Sequence, residues 1–392
     1  MGACFFISKI KRALRLGFVE FLIFSVFCVP SVWAQDMDIS AKSAILMCAD
    51  SCSVLWSKNE TEPLPMASTT KIMTALLALE AMRATKNKEV EISEEMVKVE
   101  GTSMGLRAGD IVDLTSLAQG MLLCSGNDAA NAAAIAVSGN TENFIFLMNE
   151  KAKLIGMKDT KFVTPSGLDK DDHHSTAKDM AVLGAYAMEN EDFAKIVSQK
   201  SMRVKFINPS KVVSYKNHNK LLRLYSGCIG IKTGFTKSAG RCLVSCAEKN
   251  GIRLICVTLN APNDWEDHIK LYNFGFENTE SKVFDDRDLK IEIPIKNFSN
   301  EKIIASGVSS FSRTFKKGEG CSVVRSIEAP KIYEGNVQKG QTIGKVVYYL
   351  GSKVIGTNDI VSNSEFIKKA PEKKSFFGGI VRFFENLFKK QN

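Results

Sequence analysis

The chain has 392 residues, of which 24% are charged and 45% apolar, a composition that suits a globular protein of two domains. It excludes a disordered, collagenous or multi-span membrane reading. The formal charge of +9 collects at the two ends: Lys9, Lys11, Arg12 and Arg15 stand against Glu20 at one, and seven Lys or Arg stand against Glu372 and Glu385 in residues 366–392. The body between is nearly neutral, which points to a membrane address at each end and not to nucleic acid, whose binder would carry a basic patch on the folded domain.

The basic residues 9–15 lead into an apolar run over 16–29 and then Pro30, Ser31, Val32, Trp33 and Ala34. This order predicts a secretory signal peptide over 1–34, cut before Gln35. An uncleaved anchor is the competing reading, but about 14 apolar residues fall short of the roughly 20 that cross a bilayer. Cys4 and Cys28 would leave with the signal peptide, and eight cysteines would stay. The spacings Cys48/Cys52 and Cys242/Cys246 fall in runs that read as strands, where residues four apart point the same way but lie too far apart to bridge. Buried free thiols are expected. None of the four histidines has chelating spacing, so no metal is expected.

Residues 44–56 read as a strand hairpin followed by a turn-rich stretch. Residues 68–82, STTKIMTALLALEAM, contain no Gly or Pro, are apolar on most faces and open on hydroxyl residues, which predicts a buried helix with Ser68 at its N-terminus. Residues 89–200 read as mostly helical, with loops at 101–109, 124–128 and 164–175. After Gly227 the pattern turns to strands, and Glu248, Lys249, Asn250 and Gly251 join two of them with the Asn-Gly pair of a tight hairpin. Strands flanking a helical middle indicate a mixed α/β (α+β) domain over 35–280. From 281 to 370 short strands dominate, as in the alternation of Leu289, Ile291, Ile293 and Ile295, which predicts a small all-β domain. After Pro371, apolar residues such as Phe376, Phe377, Ile380 and Phe384 recur at steps of three and four, with Arg382, Lys389 and Lys390 on the other arc. Residues 371–392 are thus expected to form an amphipathic helix on an anionic membrane surface, the alternative being a helix docked on its own domain.

Chemistry gathers at three places. Ser68 and Lys71 stand three apart on one helix, so the amine can reach the hydroxyl. A serine needs a base to become a nucleophile, and a lysine serves if burial or a second cation keeps it neutral. Ser125 and Asn127 lie in a loop between an apolar and an Ala-rich helix, where a hydroxyl can pass a proton to a leaving amine and an amide can orient lysine and substrate. Lys232, Thr233 and Gly234 sit on a strand, where a cation and a hydroxyl beside a glycine suit a carboxylate. Each pattern also has a plainer reading, as a capped helix, a helix cap and a turn.

The order S-x-x-K, S-x-N, K-T-G resembles the serine penicillin-recognising enzymes. Within them, the segments PMASTTKIMTALLALE at 65–80, LLCSGNDAANAAA at 122–134, FVTPSGLD at 162–169, HSTAKDMA at 174–181 and GIKTGFTKSAGRCLVSCA at 230–247 resemble the low-molecular-mass D-alanyl-D-alanine carboxypeptidases. The resemblance implies a β-lactamase/DD-peptidase-like catalytic domain followed by a β-domain and an amphipathic tail. It implies removal of the terminal D-alanine from peptidoglycan stem pentapeptides through an acyl-enzyme on Ser68 and without a cofactor, a role in wall maturation and cell shape, inhibition by β-lactams, and a location on the outer face of the cytoplasmic membrane. Lys71 would be the base, Ser125 and Asn127 would relay the proton, and Lys232 and Thr233 would hold the leaving carboxylate. By position, the backbone N–H groups of Ser68 and Phe235 would form the oxyanion hole. Phe235 offers no side-chain donor, so any further carboxylate contact is unassigned. Cys124, directly before Ser125, reads as a packed thiol or as an oxidation-sensitive group. A β-lactamase, for which no E-x-x-L-N-like segment follows Asn127, a transpeptidase, and a non-catalytic envelope protein that binds peptidoglycan or β-lactams are the alternatives.

Overall fold

The computed structural model describes residues 37–85 and 89–367; the expected signal peptide and terminal helix lie outside them. Strands β1 (Ser43–Cys48) and β2 (Val54–Lys58) form the first hairpin, and a 3-10 turn, Ala67–Thr70, runs into helix α1 (Lys71–Thr85). Short strands β3 (Glu89–Glu91) and β4 (Ile111–Asp113) pair around α2 (Glu94–Val97). Helices α3 (Leu114–Leu123), α4 (Asn127–Ser138), α5 (Thr141–Ile155), α6 (Ala177–Met188) and α7 (Glu191–Val197) follow. Then come the hairpin β5 (Ser201–Phe206) and β6 (Lys211–Lys216), a single turn α8 (Leu221–Leu224), strands β7 (Cys228–Thr236), β8 (Gly240–Lys249) and β9 (Ile252–Leu259), and helix α9 (Asp264–Glu277).

The main sheet is antiparallel with strand order β2-β1-β9-β8-β7, so the first hairpin of the chain docks on the last strand of this part of the fold. Both faces of the sheet are covered. On β9, Ile255 meets α6 at Gly184 and its neighbour Leu254 meets α9 at Gly275, and adjacent strand residues point to opposite faces. Such double burial explains why β8 and β9 read as near-continuous apolar runs. Lys249 pairs with Ile252, which leaves Asn250 and Gly251, at φ of 51° and 75°, as the two-residue turn the Asn-Gly pair predicts. Helix α1 runs through the helical part with Ile72, Met73, Ala75, Leu76, Ala78 and Leu79 buried.

The structure corrects four points. Ser68 lies in the 3-10 turn and the α-helix begins at Lys71; Ala67 precedes it at a φ of 48°, which a regular helix does not allow. Cys52 sits exposed in the β1–β2 turn, its N–H bonded to the Cys48 carbonyl, so the strand argument holds for Cys242 and Cys246 but not for Cys48 and Cys52. Strands begin at Ser201 and not after Gly227, since Asn208-Pro209-Ser210 breaks the run into a hairpin. Helix α9 interrupts the strand-rich stretch, with Asp264, Glu266 and Asp267 in its first turn.

The C-terminal part holds β10 (Thr279–Asp285), β11 (Lys290–Ile295), β12 (Phe298–Gly307), β13 (Ser310–Lys316), β14 (Val323–Glu328), β15 (Thr342–Leu350) and β16 (Lys353–Ser362), with one 3-10 turn at Glu319–Ser322. A sheet of order β11-β12-β16-β15-β14 and the pair β10-β13 enclose Ile293, Ile303, Phe315, Val346 and Ile360. Phe284 stacks on Phe311, and Tyr348 closes the cluster by donating its hydroxyl to buried Asp286. The Thr314 N–H donates to Asp50 at 2.6 Å, so β13 is bonded to the β1–β2 turn.

Candidate active site

The seven residues singled out by the three motifs, and Phe235 after them, meet at one place. Ser68, Ser125, Thr233, Gly234 and Phe235 line a cleft of about 750 Å³, and Lys71, Asn127 and Lys232 are buried behind it. The 3-10 turn lifts the Ser68 hydroxyl to the cleft floor while the first α-helical residue, Lys71, is sealed inside. Lys71 Nζ lies 3.0 Å from Ser68 Oγ, 2.6 Å from Asn127 Oδ1 and 2.6 Å from the Ser166 carbonyl. Two carbonyl-type acceptors absorb two N–H bonds. A neutral amine then keeps one lone pair, directed at the serine hydroxyl. Complete burial, reinforced by the Lys232 ammonium, holds Lys71 well below the ordinary lysine range, against a smaller opposing pull from Asp128.

Lys232 donates to Ser125 Oγ at 3.1 Å and to the Thr233 carbonyl at 2.7 Å, and burial pushes its pKa down to about 7. Ser125 takes a left-handed φ of 63°, uncommon for a residue with a side chain, and its carbonyl is fixed by the Thr102 hydroxyl at 2.6 Å. Asn127 opens α4 with its N–H on the Thr102 carbonyl and its side-chain amide on the Glu100 carbonyl. The chain from Glu100 to Thr102 therefore aims both motif residues. Gly234 explains its own identity, since a Cβ there would stand 3.0 Å from the backbone nitrogens of Ser68 and Thr69. Strand β7 can approach the Ser68 turn this closely only without that atom.

A profile of the D-alanyl-D-alanine carboxypeptidase family matches residues 31–263, and one of the penicillin-binding protein 5 C-terminal domain matches residues 280–368. The chain belongs to the D-alanyl-D-alanine carboxypeptidase family. It is 32% identical over 344 residues to the D-alanyl-D-alanine carboxypeptidase DacF of Bacillus subtilis, covering 86% of this chain and 88% of that one. The crystal structure of penicillin binding protein 5 from Haemophilus influenzae is similar with a TM-score of 0.66 at 30% identity, over 85% of this chain and 99% of that one. A Streptomyces DD-transpeptidase is similar with a TM-score of 0.59 at 30% identity, over 62% of this chain and 98% of that one. The protein is a serine-type D-Ala-D-Ala carboxypeptidase of the penicillin-binding class, with an α/β catalytic fold and a C-terminal all-β domain.

Several groups that shape this carboxypeptidase site escaped the sequence reading. The Ser166 carbonyl is a backbone acceptor, and no side-chain pattern announces it. His173 accepts the Val163 N–H on Nδ1 at 2.9 Å, so its Nε2 proton faces Thr70 Oγ1 at 2.8 Å, and Thr70 in turn donates to the Ala67 carbonyl. That relay ties the loop of Ser166 to the turn of Ser68, and burial keeps the imidazole neutral by lowering its pKa to about 4. Asp128 accepts from Ser103, Met104, Gly105 and Leu106 and thereby holds the loop beside Thr102. In sequence it reads only as a first-turn helix acid. Cys124 donates to the Gly120 carbonyl and burial raises its pKa to about 11, so it stays a thiol at neutral pH, as the packed reading expects.

Proposed function

We propose that Ser68 is the nucleophile of this carboxypeptidase and Lys71 its base, in a DD-peptidase domain over 35–280 that follows a signal peptide over 1–34. The observation that carries this reading is the 3.0 Å approach of a fully buried lysine to the serine hydroxyl. Ser68 Oγ bonds to the carbonyl carbon between the two D-alanines as its proton passes to Lys71 Nζ. The C–N bond then breaks, and the departing D-alanine amine takes a proton through Ser125, which Lys232 holds at 3.1 Å. Thr233 and the Lys232 charge receive the D-alanine carboxylate, and Asn127 orients Lys71. The backbone N–H groups of Ser68 and Phe235 receive the oxyanion, a role supported by the close passage of Gly234 over the Ser68 nitrogen. The amine's proton comes from Lys71; water then attacks the acyl carbon as Lys71 takes its proton, and that proton passes to Ser68 Oγ as the ester C–O bond breaks. A β-lactam enters the same sequence and leaves slowly.

The β-rich domain over 281–370 and the helix over 371–392 complete the proposal, the helix attaching an exported enzyme to the outer face of the cytoplasmic membrane. Among the described residues no helix is long and apolar enough to span a bilayer. Labelling bacterial cells that express the full chain with a fluorescent penicillin tests both ideas. Mass spectrometry should place the adduct on the peptide containing Ser68, in the membrane fraction, and a chain ending at Ala370 should carry the same adduct in the soluble fraction. An adduct on another serine rejects the nucleophile; membrane retention of the shortened chain rejects the anchor.

The two lysines also set a pH profile. Acylation needs Lys71 neutral, so kcat/KM falls as pH drops through its lowered pKa. Carboxylate capture needs Lys232 charged, so kcat/KM also falls as pH rises through about 7, the free-enzyme value. In kcat the alkaline limb should move upward, because bound carboxylate favours the ammonium. An alkaline limb in kcat/KM near an ordinary lysine value, roughly 10, would overturn this assignment of Lys232.

A further inference from the structure

Between Asp192 and Glu248 the chain contains no Asp or Glu, yet it carries Lys or Arg throughout. In a body whose overall charge is nearly neutral, this is a separation of charge along the sequence. The fold turns it into a separation in space. The stretch builds hairpin β5–β6, turn α8 and strands β7 and β8, and Lys216, Lys220 and Arg223 from it line the same cleft as Ser68. All three are exposed, and among the described residues no carboxylate pairs with any of them. The His218 N–H donates to the Leu123 carbonyl, which seats this segment against the end of α3, beside the Ser125 loop. Desolvation and the Lys232 charge lower the His218 pKa, so at neutral pH the field comes from the permanent cations. Elsewhere in the stretch, Lys211 approaches Asp110 at 3.7 Å and Arg241 is held by Asp264, so these two cations are committed within the protein.

We propose that Lys216, Lys220 and Arg223 form a cationic wall that binds carboxylates of the peptidoglycan stem peptide beyond the scissile D-alanyl-D-alanine. The proposal rests on the carboxypeptidase reading and names its substrate class: a stem peptide with further carboxylates, more anionic than one whose sole carboxylate is that of the terminal D-alanine. Exposed cations that no carboxylate neutralises concentrate field on an anion entering a concave cleft; the Arg223 guanidinium, which donates to the Lys200 carbonyl at 3.2 Å, keeps its charge. Their contribution depends on salt. They stand apart from Lys71 and Lys232, which the reaction itself uses.

The test uses the full-length protein and two substrates, a doubly acetylated Lys-D-Ala-D-Ala tripeptide and a muramyl pentapeptide with free isoglutamate and diaminopimelate carboxylates. Lys216→Glu/Lys220→Glu should lower kcat/KM on the muramyl pentapeptide by roughly tenfold or more and on the tripeptide by less than about twofold. Lys216→Gln/Lys220→Gln should give a smaller loss, confined to the muramyl pentapeptide. It should also flatten the fall in its kcat/KM between roughly 50 and 300 mM salt. The rate of penicillin acylation shows whether each variant is folded around Ser68. Equal losses on both substrates, or a parent enzyme whose preference does not respond to salt, would overturn the wall. A parent that releases D-alanine from neither substrate would instead overturn the carboxypeptidase reading on which it rests.

Discussion

Ser68→Ala is expected to abolish D-alanine release and covalent penicillin labelling together, a loss of at least about 10⁴-fold, because the acyl-enzyme cannot form. Lys71→Met should cost about 10²–10⁴-fold in acylation, since the general base is gone while the hydroxyl remains. Lys71→Arg separates charge from basicity. It keeps a cation behind the serine, but a guanidinium does not give up its proton at any working pH, so it should be as inactive as the methionine variant. The arginine must also fit a space matched to three Nζ contacts at 2.6, 2.6 and 3.0 Å, and melting temperatures of the two variants control for that strain. Recovery of acylation in Lys71→Arg would mean that charge, not proton transfer, is what Lys71 supplies. Stopped-flow measurement of penicillin acylation decides it, because it isolates this step from deacylation.

Much of this site was legible in the sequence because its chemistry is carried by side chains at short, fixed spacings. Ser68 and Lys71 are neighbours by helical geometry alone, and the Asn-Gly turn marks β8 and β9, the strands that follow the one carrying Lys232. The fold class was legible for a similar reason: strands β1, β8 and β9 are buried on both faces and are therefore mostly apolar. What stayed hidden has no side-chain signature. One of the two carbonyl-type acceptors for Lys71 is the backbone of Ser166, 95 residues away in the chain. The twisted turn at Ala67 looked like the first turn of a helix, since alanine gives no warning of a positive φ. The β5–β6 hairpin escapes although Ser201–Phe206 alternates polar and apolar residues as a half-buried strand does; in β6 the adjacent Val212 and Val213, of which Val212 is exposed, break that alternation. His173 and Asp128 read as ordinary polar residues until the loops they hold are seen.

Asp128 gives the larger stability effect. Its carboxylate is buried at 2% exposure and accepts the backbone N–H groups of Met104, Gly105 and Leu106 and the Ser103 hydroxyl. Asp128→Ala leaves the buried Met104 and Leu106 N–H groups without an acceptor and opens a void beside them, so a loss of about 3–5 kcal/mol is expected. For a domain of this size that is a fall of roughly 10 °C in Tm. The loop it releases leads back to Thr102, which bonds both the Ser125 carbonyl and the Asn127 N–H, so kcat should fall along with stability. Asp128→Asn separates the two effects. It keeps one acceptor oxygen for the loop and removes the negative charge that raises the Lys71 pKa. With that pull gone the lysine becomes easier to keep neutral, and the acid limb of kcat/KM should move to lower pH while the Tm falls less than in the alanine variant. An acid limb that stays in place would show that Asp128 acts on this site through the loop alone.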